Sequence, residues 1–312
     1  MLMRAAFLLC AAICFANSIQ ACLWITGTSK DGQRIRTSGL SPARILQMSV
    51  NRDMAAKGEK MERELRGQTS FSNRNDYAVA LILLRRAPEA ISLLQELERE
   101  TPGSYYIAAN LGTAYELAGE NQQALRWIKE AIRRNSNSHD GTEWLHVKIL
   151  EAKIAHATDP NYFRRASVLN IDLTAVKSDT DLLTIGNERF TAKEVKRAIE
   201  YQLRERLQFV KDVDPPVASL LFDYGLIIAS TDTVEGAAEL LKMALQYGYP
   251  AERINPLLQE YERIVRKGKL RQRLFYASIV AALTLFVVYA VKRRWIHLSN
   301  RQMQADKLRH AA

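Results

Sequence analysis

The chain has 312 residues, of which 47% are hydrophobic and 25% charged; this excludes a disordered polymer and allows one or two compact domains. Its formal charge of +10 would suit nucleic acid, but the excess lies at the ends: residues 271–312 hold eight basic residues against the single acid Asp306, whereas residues 22–270 hold 35 Lys and Arg against 33 Asp and Glu. Basicity that flanks apolar segments instead of coating a domain points to membrane topology and away from nucleic acid.

Residues 1–21 read as a secretory signal peptide: Arg4, a twelve-residue apolar run over 5–16, then a polar stretch. Twelve residues span only ~18 Å as a helix, short of a ~30 Å hydrocarbon core. An uncleaved anchor continuing through Trp24 and Ile25 is the other reading. The cleavage site is open too. Ile19-Gln20-Ala21-Cys22 resembles a bacterial lipobox and makes Cys22 a candidate for lipidation, while Ala16 and Ser18 fit an ordinary cut after Ser18. All three cysteines lie at or before position 22, so the body has no disulfide framework and no thiolate metal site. It also has no Asn-X-Ser/Thr acceptor, and an exported body of this kind suits a bacterial periplasm.

Residues 22–70 form an N-terminal segment with a leading helix. Beyond it, residues 75–102 and 109–136 align at a shift of 34: Ala90 falls on Ala124, Leu94 on Ile128 and Leu97 on Ala131, and Ala78 falls on Gly112. Each unit is two apolar-periodic helices joined by a short turn, Arg85-Arg86-Ala87-Pro88 in one and Ala118-Gly119-Glu120-Asn121 in the other. A third first helix is predicted over 142–157, with Leu145 and Ile149 inward. Residues 161–190 are an irregular insertion with short β-rich runs and room for a small hairpin. Helical order resumes at Thr191, which with Glu194 makes a capping box, and Val195, Ile199, Leu203 and Leu207 then share a stripe.

These units resemble the tetratricopeptide repeat (TPR) family. That family puts a large residue, a small residue and an aromatic at positions 7, 8 and 11, with alanines at 20 and 27. Counting Tyr105 as position 1, Leu111, Gly112, Tyr115, Ala124 and Ala131 fit; counting Ala218 as position 1, Tyr224, Gly225, Ile228, Ala237, Leu241 and Ala244 fall at the corresponding places. The resemblance covers residues 71–160 and part of 191–262. It implies an all-α fold, a TPR-like helical-hairpin solenoid, in which Ala90, Gly112, Ala124 and Ala131 sit where helices pack closest.

The resemblance also implies a concave face lined by first helices that binds a protein or peptide. Tyr106, Asn110, Thr113, Glu143, Trp144 and Val147 are its expected partner-binding residues, with Asn75 and Glu116 at neighbouring positions. The basic cluster of TPR domains that grip acidic chaperone tails is missing; an aromatic and amide-lined face suits a helix or an extended peptide.

Residues 263–273 are a basic juxtamembrane segment. Residues 274–291 are eighteen residues without a charge, ~27 Å as a helix, bracketed by Arg271 and Arg273 on one side and Lys292, Arg293 and Arg294 on the other. They read as one C-terminal transmembrane helix. Both flanks are basic, so the signal sets the orientation: body exported, basic tail 292–312 cytoplasmic.

No HExxH, glycine-rich phosphate loop, GxSxG or CxxC occurs. His139, His146 and His156 read as surface or satisfied histidines; His146 and His156, ten residues apart on one helix, are too far apart for one metal. The expected function is therefore binding without catalysis, cofactor or metal: a membrane-tethered scaffold for a protein or peptide partner. The alternative is a non-catalytic accessory subunit of a secretion, transport or cell-wall enzyme system.

Overall fold

A computed structural model describes residues 24–50 and 52–310. The signal-peptide and Cys22 expectations lie outside the described residues. The chain is mostly helical, with two small antiparallel hairpins. The first described element is β1 (Trp24–Thr28), paired with β2 (Arg34–Ser38) in a hairpin that sequence periodicity did not reveal. Helices α1 (Pro42–Val50) and α2 (Met54–Leu65) follow.

Two helical hairpins come next: α3 (Phe71–Leu83) with α4 (Ala87–Glu100), and α5 (Tyr105–Leu117) with α6 (Asn121–Arg134). Their connections repeat at the 34-residue shift. Arg86 donates its backbone N–H to Leu81 and Glu120 donates to Tyr115, each at 2.9 Å. Both turns pass through the left-handed region, at Gly119 (φ 81°) and at Arg85 (φ 59°). Glycine meets that conformation without cost, whereas arginine carries a Cβ into it. Close helix approach within each hairpin depends on small side chains: Ala90, Ala124 and Ala131 are all fully buried.

After a 3-10 turn at Ser138–Gly141 come α7 (Glu143–Thr158) and a single turn, α8 (Tyr162–Arg165). The irregular insertion is anchored by Val168, Leu169, Leu173 and Val176, all buried. It ends in a second hairpin, β3 (Leu182–Ile185) and β4 (Glu188–Thr191), closed by Gly186 at φ 64°. Helix α9 (Ala192–Arg206) starts with Thr191 and Glu194 capping each other. Helix α10 (Pro215–Thr231) is capped by the Asp214 carboxylate, and α11 (Val234–Gln246) by the Thr233 hydroxyl.

The last helix, α12 (Ala251–His310), is continuous, so the juxtamembrane segment, apolar run and tail are one rod. It is long and apolar enough to span a membrane, and its apolar window is wholly unburied by the body.

Among the described residues two large apolar cores result, beside a small cluster of Ala108, Ala109 and Ala131. The first joins α3, α4, α5 and α6 through Leu81, Leu94, Leu97, Leu111 and Ile128. The second joins α1, the insertion, α9, α10, α11 and the start of α12. Helix α7 belongs to both, giving Leu150 to the first and Leu145, Ile149 and Ala152 to the second.

Candidate functional site

The expected face divides in two. On α5, Tyr106 is 56% exposed, its ring centroid 3.9 Å from that of Tyr105. One turn on, the Asn110 amide donates to Asn75 Oδ1 of α3 at 3.0 Å, so both asparagines are fixed and half-buried. The Thr113 hydroxyl is turned inward, donating to the Ala109 carbonyl at 3.2 Å. An open aromatic ring beside an ordered amide pair is the part of the face left exposed to solvent.

The other half is closed by the chain itself. Glu143 is buried, which corrects the expectation that it faces a partner, and Glu116 is buried with it. Trp144 is half-buried and stacks on Phe190 at 4.3 Å; Val147 is half-buried against the first core. The cause is the end of α9, which returns across α5 and α7. Arg206 donates to Glu116 Oε1 at 2.6 Å, Phe209 packs on the first core, and Arg85 of the α3–α4 turn bonds the Phe209 carbonyl.

This closure is ionic at its centre. Glu116 Oε1 also accepts from Lys153 Nζ at 3.0 Å, and its Oε2 lies 2.7 Å from His146 Nε2. The other ring nitrogen of His146 is 3.2 Å from Glu143 Oε2, and His139 meets Glu143 Oε1. Both nitrogens of His146 face carboxylates, so the imidazolium is the form that satisfies the site. Burial works against its charge, but Glu116 and Glu143 outweigh burial and raise its pKa. Burial would likewise raise the two carboxyls; instead Arg206, His146 and Lys153 hold Glu116 well below the usual range, and His139 and His146 bring Glu143 to about 2. Three helices are thereby clasped where the two cores meet. The sequence reading of surface or satisfied histidines agrees with this arrangement for His139 and His146, whereas His156 keeps a buried Nδ1 without a hydrogen-bond partner. The shared carboxylate partners come from different helices and left no local pattern.

The small residues sit at tight crossings. A β-carbon on Gly112 would lie 2.6 Å from Ile128 Cγ1, and one on Gly225 would lie 3.0 Å from Leu241 Cδ2. A surface groove of about 460 Å³ on α6 is lined by Arg126, Trp127, Lys129, Glu130, Arg133 and Arg134. Its guanidinium groups at 133 and 134 are already engaged by Glu130 and Glu98, which leaves it a poor anion site. No known protein family and no curated protein matches the chain.

Proposed function

We propose that the chain is a TPR-type scaffold, tethered to a membrane through residues 274–291 of α12, that binds a protein or peptide partner on the exported side. The observation that carries the binding reading is Tyr106, the most exposed aromatic ring of α3–α6, left open beside the Asn75–Asn110 pair. Aromatic anchors flanked by ordered polar groups are the usual source of binding energy in protein interfaces. The turns repeated at 34 residues support the TPR-type reading, and the unburied apolar rod supports the tether. Catalysis has no part in the reading, and neither does a cofactor.

The test is site-specific photocrosslinking in intact cells. A benzophenone residue at position 106 is expected to trap one discrete partner, whereas the same probe at the exposed Gln123 on α6 is not. Equal labelling from both positions, or none from 106, would refute this face as the site.

A further inference from the structure

Helix α12 carries Arg263, Arg266, Lys267, Lys269, Arg271 and Arg273 in one uninterrupted stretch without an acidic residue. All six are exposed, and among the described residues their one ion pair is a 4.0 Å contact from Arg266 to Glu262. The residues between them that are partly or wholly covered, Ile264, Val265, Gly268 and Gln272, fall on one stripe at helical spacing. The cations therefore fan over the face turned away from the body.

The body fixes the height of this fan. Gly268 is buried against the β1–β2 turn: a β-carbon there would lie 2.9 Å from the Gly32 carbonyl oxygen and 3.0 Å from Thr28 Cγ2. Gly268 precedes Leu274, where the uncharged run begins, by six positions, ~9 Å along the helix. The headgroup layer of one leaflet is ~5–7 Å thick, which puts Arg271 and Arg273 within it and Lys269, ~7.5 Å above Leu274, at its outer edge. Arg263, Arg266 and Lys267 lie ~10–16 Å above the hydrocarbon by the same rise, beyond direct contact and near the limit of screening at physiological salt.

From this geometry, we infer that residues 269–273 form a collar that binds the phosphates of anionic phospholipids in the leaflet adjoining the body. The inference rests on the membrane-span reading above but not on which way the span runs. Both flanks of the apolar run are basic, so charge asymmetry for topology does not account for this cluster. The docked hairpin keeps the body from sliding along the rod and keeps the three cations at one depth. Anionic lipid would crowd around the helix where it enters the bilayer.

The test uses the full chain reconstituted in phosphatidylcholine bilayers containing spin-labelled phosphatidylglycerol or spin-labelled phosphatidylcholine. The fraction of each label immobilised at the protein surface is read by electron spin resonance. At low salt the phosphatidylglycerol label is expected to be favoured by about threefold, falling toward parity at about 1 M salt. The triple variant Lys269→Gln, Arg271→Gln, Arg273→Gln should lose at least about half of that preference, while immobilising the phosphatidylcholine label as before. Neutralising Lys292, Arg293 and Arg294 instead should leave the collar's share in place. A wild-type ratio retained by the collar variant, or no salt dependence, would overturn the inference alone. A chain stripped from the bilayer by alkaline carbonate would overturn the span reading as well.

Discussion

Gly112 on α5 and Ile128 on α6 leave no space between them for a β-carbon: one built on Gly112 would lie 2.6 Å from Ile128 Cγ1 and 3.3 Å from the Ile128 backbone nitrogen. Ile128 is fully buried, so its side chain has nowhere to swing. Gly112→Ala gains up to about 1 kcal/mol of helix propensity but overpacks the crossing at a cost of about 1–3 kcal/mol. Net destabilisation of about 1 kcal/mol is expected, and Ala124→Leu on the facing helix should cost more. Denaturant unfolding of the full chain in detergent checks both; a Gly112→Ala variant more stable than wild type would show that the crossing is loose.

Glu116 joins α5 to α7 and α9 as the shared anion of Arg206, Lys153 and His146. Glu116→Gln leaves those cations without their counter-charge, and losing one partner of a buried pair costs about 3–5 kcal/mol. Lys153 keeps some solvent contact, so about 3 kcal/mol is expected here. The pH profile carries the sign. His146 has a raised pKa in the folded chain, so its contribution is complete below about 6.5 and is lost as pH rises through the folded value. Glu116→Gln should move that loss to lower pH. An unchanged alkaline limb would mean that His146 does not titrate against Glu116.

Asp223 in α10 also loses stability as pH rises, but through burial and not through ion pairing. It is buried, its Oδ2 has no hydrogen-bond partner, and burial pushes its pKa to about 7 despite help from Ser167, the Leu169 backbone and Arg253. The folded chain thus holds this proton to a higher pH than the unfolded chain does. Stability from this group is full below about 4 and falls as pH rises to about 7, by up to roughly 4 kcal/mol. Asp223→Asn should remove that slope, so the difference between variant and wild type should grow across pH 4–7 and then level off. A difference that does not vary with pH would place the carboxyl in water.

What could be read from sequence, and what could not, follows from how far apart the interacting residues are. The helices of residues 71–134 were visible because their apolar residues and turns repeat within a few tens of positions, and the Thr191–Glu194 cap because it is local. Glu143 and Glu116 were placed on an open face because their helical positions point there. Arg206, which covers Glu116, arrives from 90 residues away, and Glu143 is taken up by His139 and His146. The β1–β2 hairpin escaped for a similar reason: its partners on α11 lie about two hundred residues on, and its five-residue strands are too short to show a period. Residues 263–310 were divided by composition, yet no proline interrupts them, and the change from charged to apolar residues does not end a helix.

Topology is open to a direct test. With α12 as one span and an exported body, a cysteine at exposed Lys57 should react with a membrane-impermeant maleimide in intact spheroplasts, and one at Met303 should react only after lysis. The reverse pattern would invert the orientation while leaving the span in place.

The N-terminal hairpin is held to α11, beside the base of the rod, by one carboxylate. Glu235 of α11 accepts from the Thr28 backbone N–H at 2.7 Å, from the Thr28 hydroxyl at 2.8 Å and from Arg34 at 3.0 Å. Glycines allow close approach there, Gly27 against Thr233 and Gly268 against the Gly32 carbonyl. Glu235→Ala removes three hydrogen bonds, two from neutral groups and one from a guanidinium, at the edge of the body and not in either core. About 2–3 kcal/mol of local destabilisation is expected, released as undocking of residues 24–38 while α3–α6 stay folded. Hydrogen exchange on the full chain in detergent separates the outcomes. Faster exchange confined to the hairpin and to α12 around Gly268 supports the clasp; protection unchanged at Thr28 and Arg34 would mean that strand pairing alone keeps the hairpin in place.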